Sequence, residues 1–187
     1  MKYMGDSEWW NNRFKTRELK VMRHEKILED DISCFPKRGK ILDIACGDGR
    51  NAIYLSRLGY EVIAIDFCEE ALNRLNYFIK NEGINIDTQM VDLSKDDIFN
   101  DLGSFDVVII NHYRLKPQLY SNIMNHIKKD GVLWVNGFRE VPNNNPNITE
   151  YDILKESDFL SLDRYILENR KSYEIDQRKF IRYLWKK

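Results

Sequence analysis

Apolar positions along this chain recur with two different periods in turn. Lys40-Ile41-Leu42-Asp43-Ile44-Ala45 is a short apolar run next to glycines, the pattern of a strand buried on both faces. Arg50 to Leu58 then sets Ile53, Leu55 and Leu58 among polar residues, as in a helix packed on a sheet, and Gly59 closes it. Glu61-Val62-Ile63-Ala64-Ile65 predicts a second buried strand, and Glu69 to Asn81 a helix with Leu72, Leu75 and Phe78 toward one face. Ile86 to Val91 gives a weaker strand and Phe105 to Ile110 a strong one. Leu119 to Lys129 predicts another helix, with Asp130-Gly131 turning into the strand Val132-Leu133-Trp134-Val135.

Strands alternating with helices imply right-handed crossovers and a mostly parallel sheet covered on both faces. The stretch Val141-Pro142-Asn143-Asn144-Asn145-Pro146-Asn147 disfavours regular structure and reads as a loop. Beyond it, Leu162 to Glu174 and Arg178 to Trp185 predict two long strands around a turn at Asp176, an antiparallel pair at the sheet edge. Residues 1–33 read as helical and amphipathic. The expected architecture is one doubly wound, Rossmann-like α/β domain over 1–187. It would have a helical cap over 1–33, a ligand-binding core over 38–139 and C-terminal antiparallel strands over 149–187.

Composition narrows the function classes. A chain of 187 residues fits a single core. With 43% hydrophobic residues, 32% charged and a formal net charge of -1, it exerts no global pull on nucleic acid or anionic membrane. Cys34, Cys46 and Cys68 are odd in number and lack CxxC spacing. That argues against a disulfide framework or a metal site and for reduced thiols in the cytoplasm. Asp6, Glu8, Arg13 and Lys15 leave no room for the apolar region of a secretory signal. No apolar run reaches the roughly 18 residues a membrane span needs.

The candidate chemistry lies at Leu42-Asp43-Ile44-Ala45-Cys46-Gly47-Asp48-Gly49-Arg50-Asn51. Glycines between a strand and a helix let the backbone turn sharply and approach a ligand. The helix that follows points its free N–H groups at that ligand. Asp66 ends the next strand, about twenty residues on, where a carboxylate can accept from both hydroxyls of a ribose. Asp92 follows the third strand, placed to meet an adenine amino group. Gly47-Asp48-Gly49-Arg50-Asn51-Ala52 also fits a loose dinucleotide fingerprint, although that reading expects its first glycine directly after the strand. Acids ending three consecutive strands suit a ligand with an amino group, a ribose and an adenine, which favours S-adenosylmethionine over a dinucleotide or over a tight turn with chance acids.

Ile41 to Leu72, ILDIACGDGRNAIYLSRLGYEVIAIDFCEEAL, resembles the cofactor site of class I S-adenosylmethionine-dependent methyltransferases. Within them it is most similar to the tellurite-resistance-type group of small-molecule methyltransferases, with its C-G-x-G-R-N loop followed by Y-L and G-Y-x-V. The resemblance implies that Asp43, Ala45, Gly47 and Gly49 hold the amino-acid part of the cofactor. It implies a ribose acid at Asp66 and adenine contacts at Phe67, Asp92 and Leu93. The family's first glycine is Ala45 here, which should only tighten the turn. Trp9-Trp10-Asn11-Asn12-Arg13-Phe14 resembles the N-terminal segment that folds over the cofactor, and Ile110 to Leu115 the end of the family's fourth strand. Cys46, Asn51 and Asn111 join the cofactor-contacting set, with Cys46 filling a packing position.

Methyl transfer from a sulfonium is an in-line displacement, and a thiolate acceptor needs little beyond alignment and desolvation. A hydroxyl or amine acceptor needs a base, for which His112 is the leading candidate. Tyr113 would hydrogen-bond the acceptor and Arg114 would bind an anionic one. Each could equally be a pocket-lining residue. Trp10 with Arg13 would close over the cofactor, or one tryptophan would simply anchor the N-terminal helix. His24 and His126 sit in charged, helical surroundings and read as surface residues.

The expected partner is a small-molecule acceptor such as a thiol or a chalcogen oxyanion, with no membrane and a monomer or homodimer. One rival is an RNA or protein methyltransferase, because Arg164 to Lys187 interleaves basic residues with Tyr165, Tyr173, Phe180, Tyr183 and Trp185. Against a DNA substrate, the loop reads Asn111-His112-Tyr113 and not N-P-P-Y, and no Pro-Cys pair is present. The other rival is a module that binds the cofactor without turnover.

Overall fold

The computed structural model describes residues 6–96, 98, 99 and 102–187. Its sheet has the order β3-β2-β1-β4-β5-β7-β6. The strands are β1 (Lys40–Ile44), β2 (Glu61–Asp66), β3 (Asp87–Met90), β4 (Phe105–Asn111), β5 (Ile127–Phe138), β6 (Ile166–Ile175) and β7 (Arg178–Lys186). β1 to β5 pair in parallel, and β7 returns antiparallel between β5 and β6. The helices are α1 (Ser7–Thr16), α2 (Lys26–Asp31), α3 (Arg50–Arg57), α4 (Glu69–Glu82) and α5 (Pro117–His126).

The strand period of two divides the core between the faces of the sheet. Leu42, Ile44, Val108 and Ile110 pack with Leu119, Ile123 and Met124 of α5. Ile41, Val107 and Ile109 pack with Ile53 and Leu55 of α3 and with Leu72, Leu75 and Phe78 of α4. Two-sided burial explains why these strands are apolar runs, broken in β1 only by Asp43. The side chain of Asp43 therefore enters a core position.

Three boundaries differ from expectation. The helix predicted over Leu119–Lys129 spans Pro117–His126, because Pro117 supplies the first-turn φ and Ile127 pairs with Phe105 as strand. Asp130 (φ +62°) and Gly131 do not form a turn between elements but a bulge inside β5, where the register to β4 shifts. Leu162 closes a 3₁₀ helix (Glu156–Leu162) instead of opening a strand, and Phe159 and Leu162 turn into the α5 side of the core. The N-terminal region is also less helical than its pattern suggests. Residues 17–25 carry no helix, and only one 3₁₀ turn (Ile32–Cys34) follows α2. Residues 1–5 of the expected cap lie outside the described residues.

Candidate cofactor site

A cavity of about 850 Å³ opens at the carboxyl ends of β1, β2 and β4, under α1. Asp43, Ala45, Cys46, Gly47, Asn51, Asp66, Phe67, Asp92, Leu93, Asn111 and Trp10 line it, as do His112, Tyr113 and Arg114. Its floor is the loop that reverses the chain between β1 and α3. Ala45 adopts φ +55°, Gly47 φ +57° and Gly49 φ +82°. Left-handed backbone at Ala45 costs about 1 kcal/mol where a glycine would cost little, so the Ala45 position is a strained turn and not merely a tight one.

Two buried carboxylates face this loop in different ways. Asp66 accepts from the amides of Gly47 (2.8 Å) and Cys68 (2.9 Å). Burial nevertheless holds its pKa above the usual carboxylate range, against the pull of those amides. Asp43 is 1% exposed, and neither carboxylate oxygen completes a hydrogen bond among the described residues. Burial, then the charge of Asp66, push its pKa up to about 8, with Arg50 and the Ala52 amide pulling weakly the other way. A carboxyl this poorly satisfied is the signature of a site whose complement is a cation or a hydrogen-bond donor. Asp92 is exposed, and Ser94 bonds it through hydroxyl (2.6 Å) and amide (3.0 Å), lowering its pKa.

The roof is α1 and the segment after it. Trp10 and Phe14 pack at 5.9 Å against each other and over Cys68 and Ala71. Asn11 accepts from the Glu70 amide at 2.9 Å. Arg13 does not join Trp10 in the cavity; it is exposed and sits 5.3 Å over the Trp9 ring. Gly49 does not line the cavity either. It caps α3 and shapes the loop from behind.

Sequence reasoning passed over two ionic centres that fasten the roof. Asp48 accepts from Arg17 (3.3 Å) and from two nitrogens of Arg74 (3.2 and 3.3 Å), while Arg74 also donates to the carbonyls of Arg17 and Glu18. The available signal was an arginine on the apolar face of a helix, beside Ala71, Leu75 and Phe78. Glu25 is the second centre. It pairs with Arg50 and with His112 Nε2 (2.7 Å), and its amide donates to Asn51 Oδ1 (3.0 Å). Burial alone would raise the Glu25 pKa, but His112 and Arg50 bring it down to about 2.

His112 and Arg114 stand differently from their expected roles. The His112 Nε2 is taken by Glu25, and Nδ1 is enclosed without a partner among the described residues. Phe138 and Phe180 pack at 5.3 Å from the ring. The left-handed turn at His112 (φ +55°) and its amide bond to Asn136 aim the ring at Glu25 in the N-terminal strap, residues 17–25, so it ties the roof to β4. The Arg114 fork is occupied by Asp158, with Nε to Oδ2 at 2.7 Å and Nη2 to Oδ1 at 2.5 Å. Asp158 is 2% exposed, so Arg114→Leu should cost about 3 kcal/mol of stability in urea unfolding by stranding that charge. Tyr113 lines the cavity and packs against the α5 side of the core.

Three of the five C-terminal aromatics are closed to stacking, while Tyr165 and Tyr173 are half-buried. Phe180, Tyr183 and Trp185 are each under 8% exposed and belong to the core. The lone cavity thiol, Cys46, is buried and its pKa lies well above the thiol range, which fits packing and not nucleophilic attack. His24 is no bare surface residue; it stacks on Tyr54 at 3.7 Å. His126 meets the Gly103 carbonyl through Nδ1 at 2.7 Å. Among the described residues no cluster of His, Cys, Asp and Glu could hold a metal, and no helix is long and apolar enough to cross a membrane.

A parallel sheet ending in two antiparallel strands, with a glycine loop under acids at successive strand ends, is the class I methyltransferase fold. Solved structures agree. TehB from Haemophilus influenzae superposes with a TM-score of 0.71 at 23% identity, covering 95% of this chain and 67% of that one. An S-adenosylmethionine-dependent methyltransferase from Clostridium acetobutylicum gives 0.66 at 16% identity, covering 97% and 92%. The family profile described as "Tellurite resistance protein TehB" matches residues 3–138, and the chain belongs to that family of S-adenosylmethionine-dependent methyltransferases. A probable methyltransferase TehB from Haemophilus influenzae is 32% identical over 99 residues, which are 49% of this chain. The match spans only 33% of that relative's length.

Proposed function

We propose that this protein transfers a methyl group from S-adenosylmethionine to a small cytoplasmic acceptor, a thiol, a chalcogen oxyanion or a similar nucleophile. The observation that carries the reading is Asp43, a buried carboxyl that completes no hydrogen bond among the described residues, at the floor of a cavity of about 850 Å³ with room for a nucleoside-bearing cofactor and an acceptor. When bound, the cofactor supplies a methyl group on a positively charged sulfur, activated for displacement. Asp43 would hold the ammonium of its amino-acid part, a partner that removes the cost of burying that charge. Asp66 would receive the ribose hydroxyls on the lone pairs left by the Gly47 and Cys68 amides. Phe67, Leu93 and Asp92 would border the adenine.

The rest of the chain's contribution is positioning and exclusion of water. Trp10 and Phe14 roof the cavity with apolar surface, held down through Asp48 and Glu25. With Nε2 held by Glu25 and Nδ1 enclosed, the His112 side chain carries no proton transfer in this reading. An acceptor that arrives ionised needs none, and alignment in a desolvated site supplies the rate.

Isothermal calorimetry with S-adenosylhomocysteine tests the cofactor part. Asp66→Ala should weaken binding by roughly ten- to a hundredfold, the worth of a charged hydrogen bond. Unchanged affinity would sink the assignment. Turnover against thiols, selenite and tellurite, amines and RNA then tests the acceptor class. Activity confined to RNA, or tight cofactor binding with no turnover on any of them, would each overturn the small-molecule reading.

A further inference from the structure

β6 is an edge strand exposed along both faces except at the half-buried Tyr173, and among the described residues no strand lies beside its outer row of backbone groups. Such an edge is a template for another strand. Ile175 is 44% exposed at the end of the regular stretch, an apolar side chain that a solvent-facing edge would not need. The charges on the strand select its occupant. Register to β7 runs without a shift from Asn169 to Ile175, so side chains alternate strictly between faces over that stretch. Arg170, Ser172 and Glu174 share one face; Asn169, Lys171, Tyr173 and Ile175 share the other.

Two copies meeting antiparallel about a twofold axis must place same-face residues opposite one another. Centring the axis on Arg170, Lys171 or Glu174 sets each against its own like charge. Centring it on Tyr173 moves Arg170 opposite Asp176, which has left the strand with φ +49°. Centring it on Ser172 places Arg170 opposite Glu174 of the second copy twice, and Lys171 opposite Tyr173 twice, matching charge with charge and cation with ring.

We propose that this chain forms a homodimer by antiparallel pairing of β6 with β6 of a second copy, with Ser172 at the twofold axis, making one continuous sheet. The matched stretch is short, so the contact belongs with small, weak interfaces. Arg170 also reaches Glu156 of its own chain, an exposed pair that the dimer would turn or share. Neither the cofactor cavity nor the residues assigned to it lie on this strand, so the dimer does not depend on the methyltransferase reading.

Sedimentation equilibrium on the full chain, over roughly 10 to 500 μM, brackets such an interface. The wild type should show a concentration-dependent dimer. Arg170→Glu alone sets a new carboxylate against Glu174 of the other copy, and Glu174→Arg alone sets a new guanidinium against Arg170. Each variant should therefore weaken dimerisation at least tenfold. An equimolar mixture of the two restores both opposite-charge pairs and should dimerise again as a heterodimer. Circular dichroism and a thermal melt of each variant confirm that it is folded before its mass is read. A wild type that stays monomeric over the range would overturn the proposal. So would a dimer indifferent to both charge reversals, or a mixture that fails to re-form one from two folded variants.

Discussion

Asp43→Asn should stabilise the protein at pH 8 while destroying its affinity for the cofactor. The Asp43 carboxyl titrates at about 8 in the fold and near its ordinary 3.8 when unfolded. Below about pH 4 both states hold the proton, and the residue adds no pH-dependent cost. Between about pH 4 and 8 the unfolded chain releases a proton that the fold retains. Stability therefore falls as pH rises through that window, and the loss is complete above it. Asparagine cannot ionise and escapes the loss, although its amide remains buried with few partners. A net gain of about 2 kcal/mol, or roughly 4–8 °C in Tm at pH 8, is expected, shrinking toward zero near pH 4. Calorimetry on the same variant should show S-adenosylhomocysteine binding weakened at least tenfold, because the ammonium loses its counter-charge. A variant less stable than the wild type at pH 8 would mean that Asp43 is satisfied within the fold.

Gly49→Ala should have the opposite character, harming fold and site together. Gly49 holds φ +82°, and an added Cβ would fall 2.2 Å from Leu75 Cδ1. Leu75 is fully buried in the core beneath α3 and α4, so it has nowhere to move. Left-handed strain of about 1–2 kcal/mol adds to overpacking of about 1–3 kcal/mol, for a loss near 3 kcal/mol. For a domain of this size that is roughly 6–12 °C in Tm. Combining the change with Leu75→Ala separates the two causes. If the clash dominates, the double variant loses clearly less than the sum of the singles. Strict additivity would leave backbone strain as the whole effect.

Much of this was legible in the chain because it rests on short-range chemistry. Buried parallel strands demand nearly continuous apolar runs, so Ile41 to Ile44 (interrupted only by Asp43), Val62 to Ile65 and Val107 to Ile110 announced themselves. The glycine loop was readable because left-handed backbone between a strand and a helix calls for glycine. Helix ends were less so. The boundary at His126 depends on Ile127 finding Phe105, a distant partner that no local pattern contains. The N-terminal strap was misread as helix for a similar reason. What shapes residues 17–25 is Arg74 drawing in the Arg17 and Glu18 carbonyls from 56 or more positions away.

The sequence by itself determined the fold class, the loop at Asp43 to Asn51 and the acids at the strand ends, because each follows from periodicity or from one residue's backbone freedom. Tertiary structure decided which side chains remain available. His112 and Arg114 looked equipped for chemistry, but Glu25, 87 positions distant, takes Nε2 of the histidine, and Asp158, 44 positions distant, takes Nε and Nη2 of the arginine. Asp43 looked like one carboxylate among three, and only packing revealed it as the one whose buried oxygens complete no hydrogen bond among the described residues. Hydrogen-bond satisfaction belongs to the arrangement of neighbours in space, and a linear pattern does not record it.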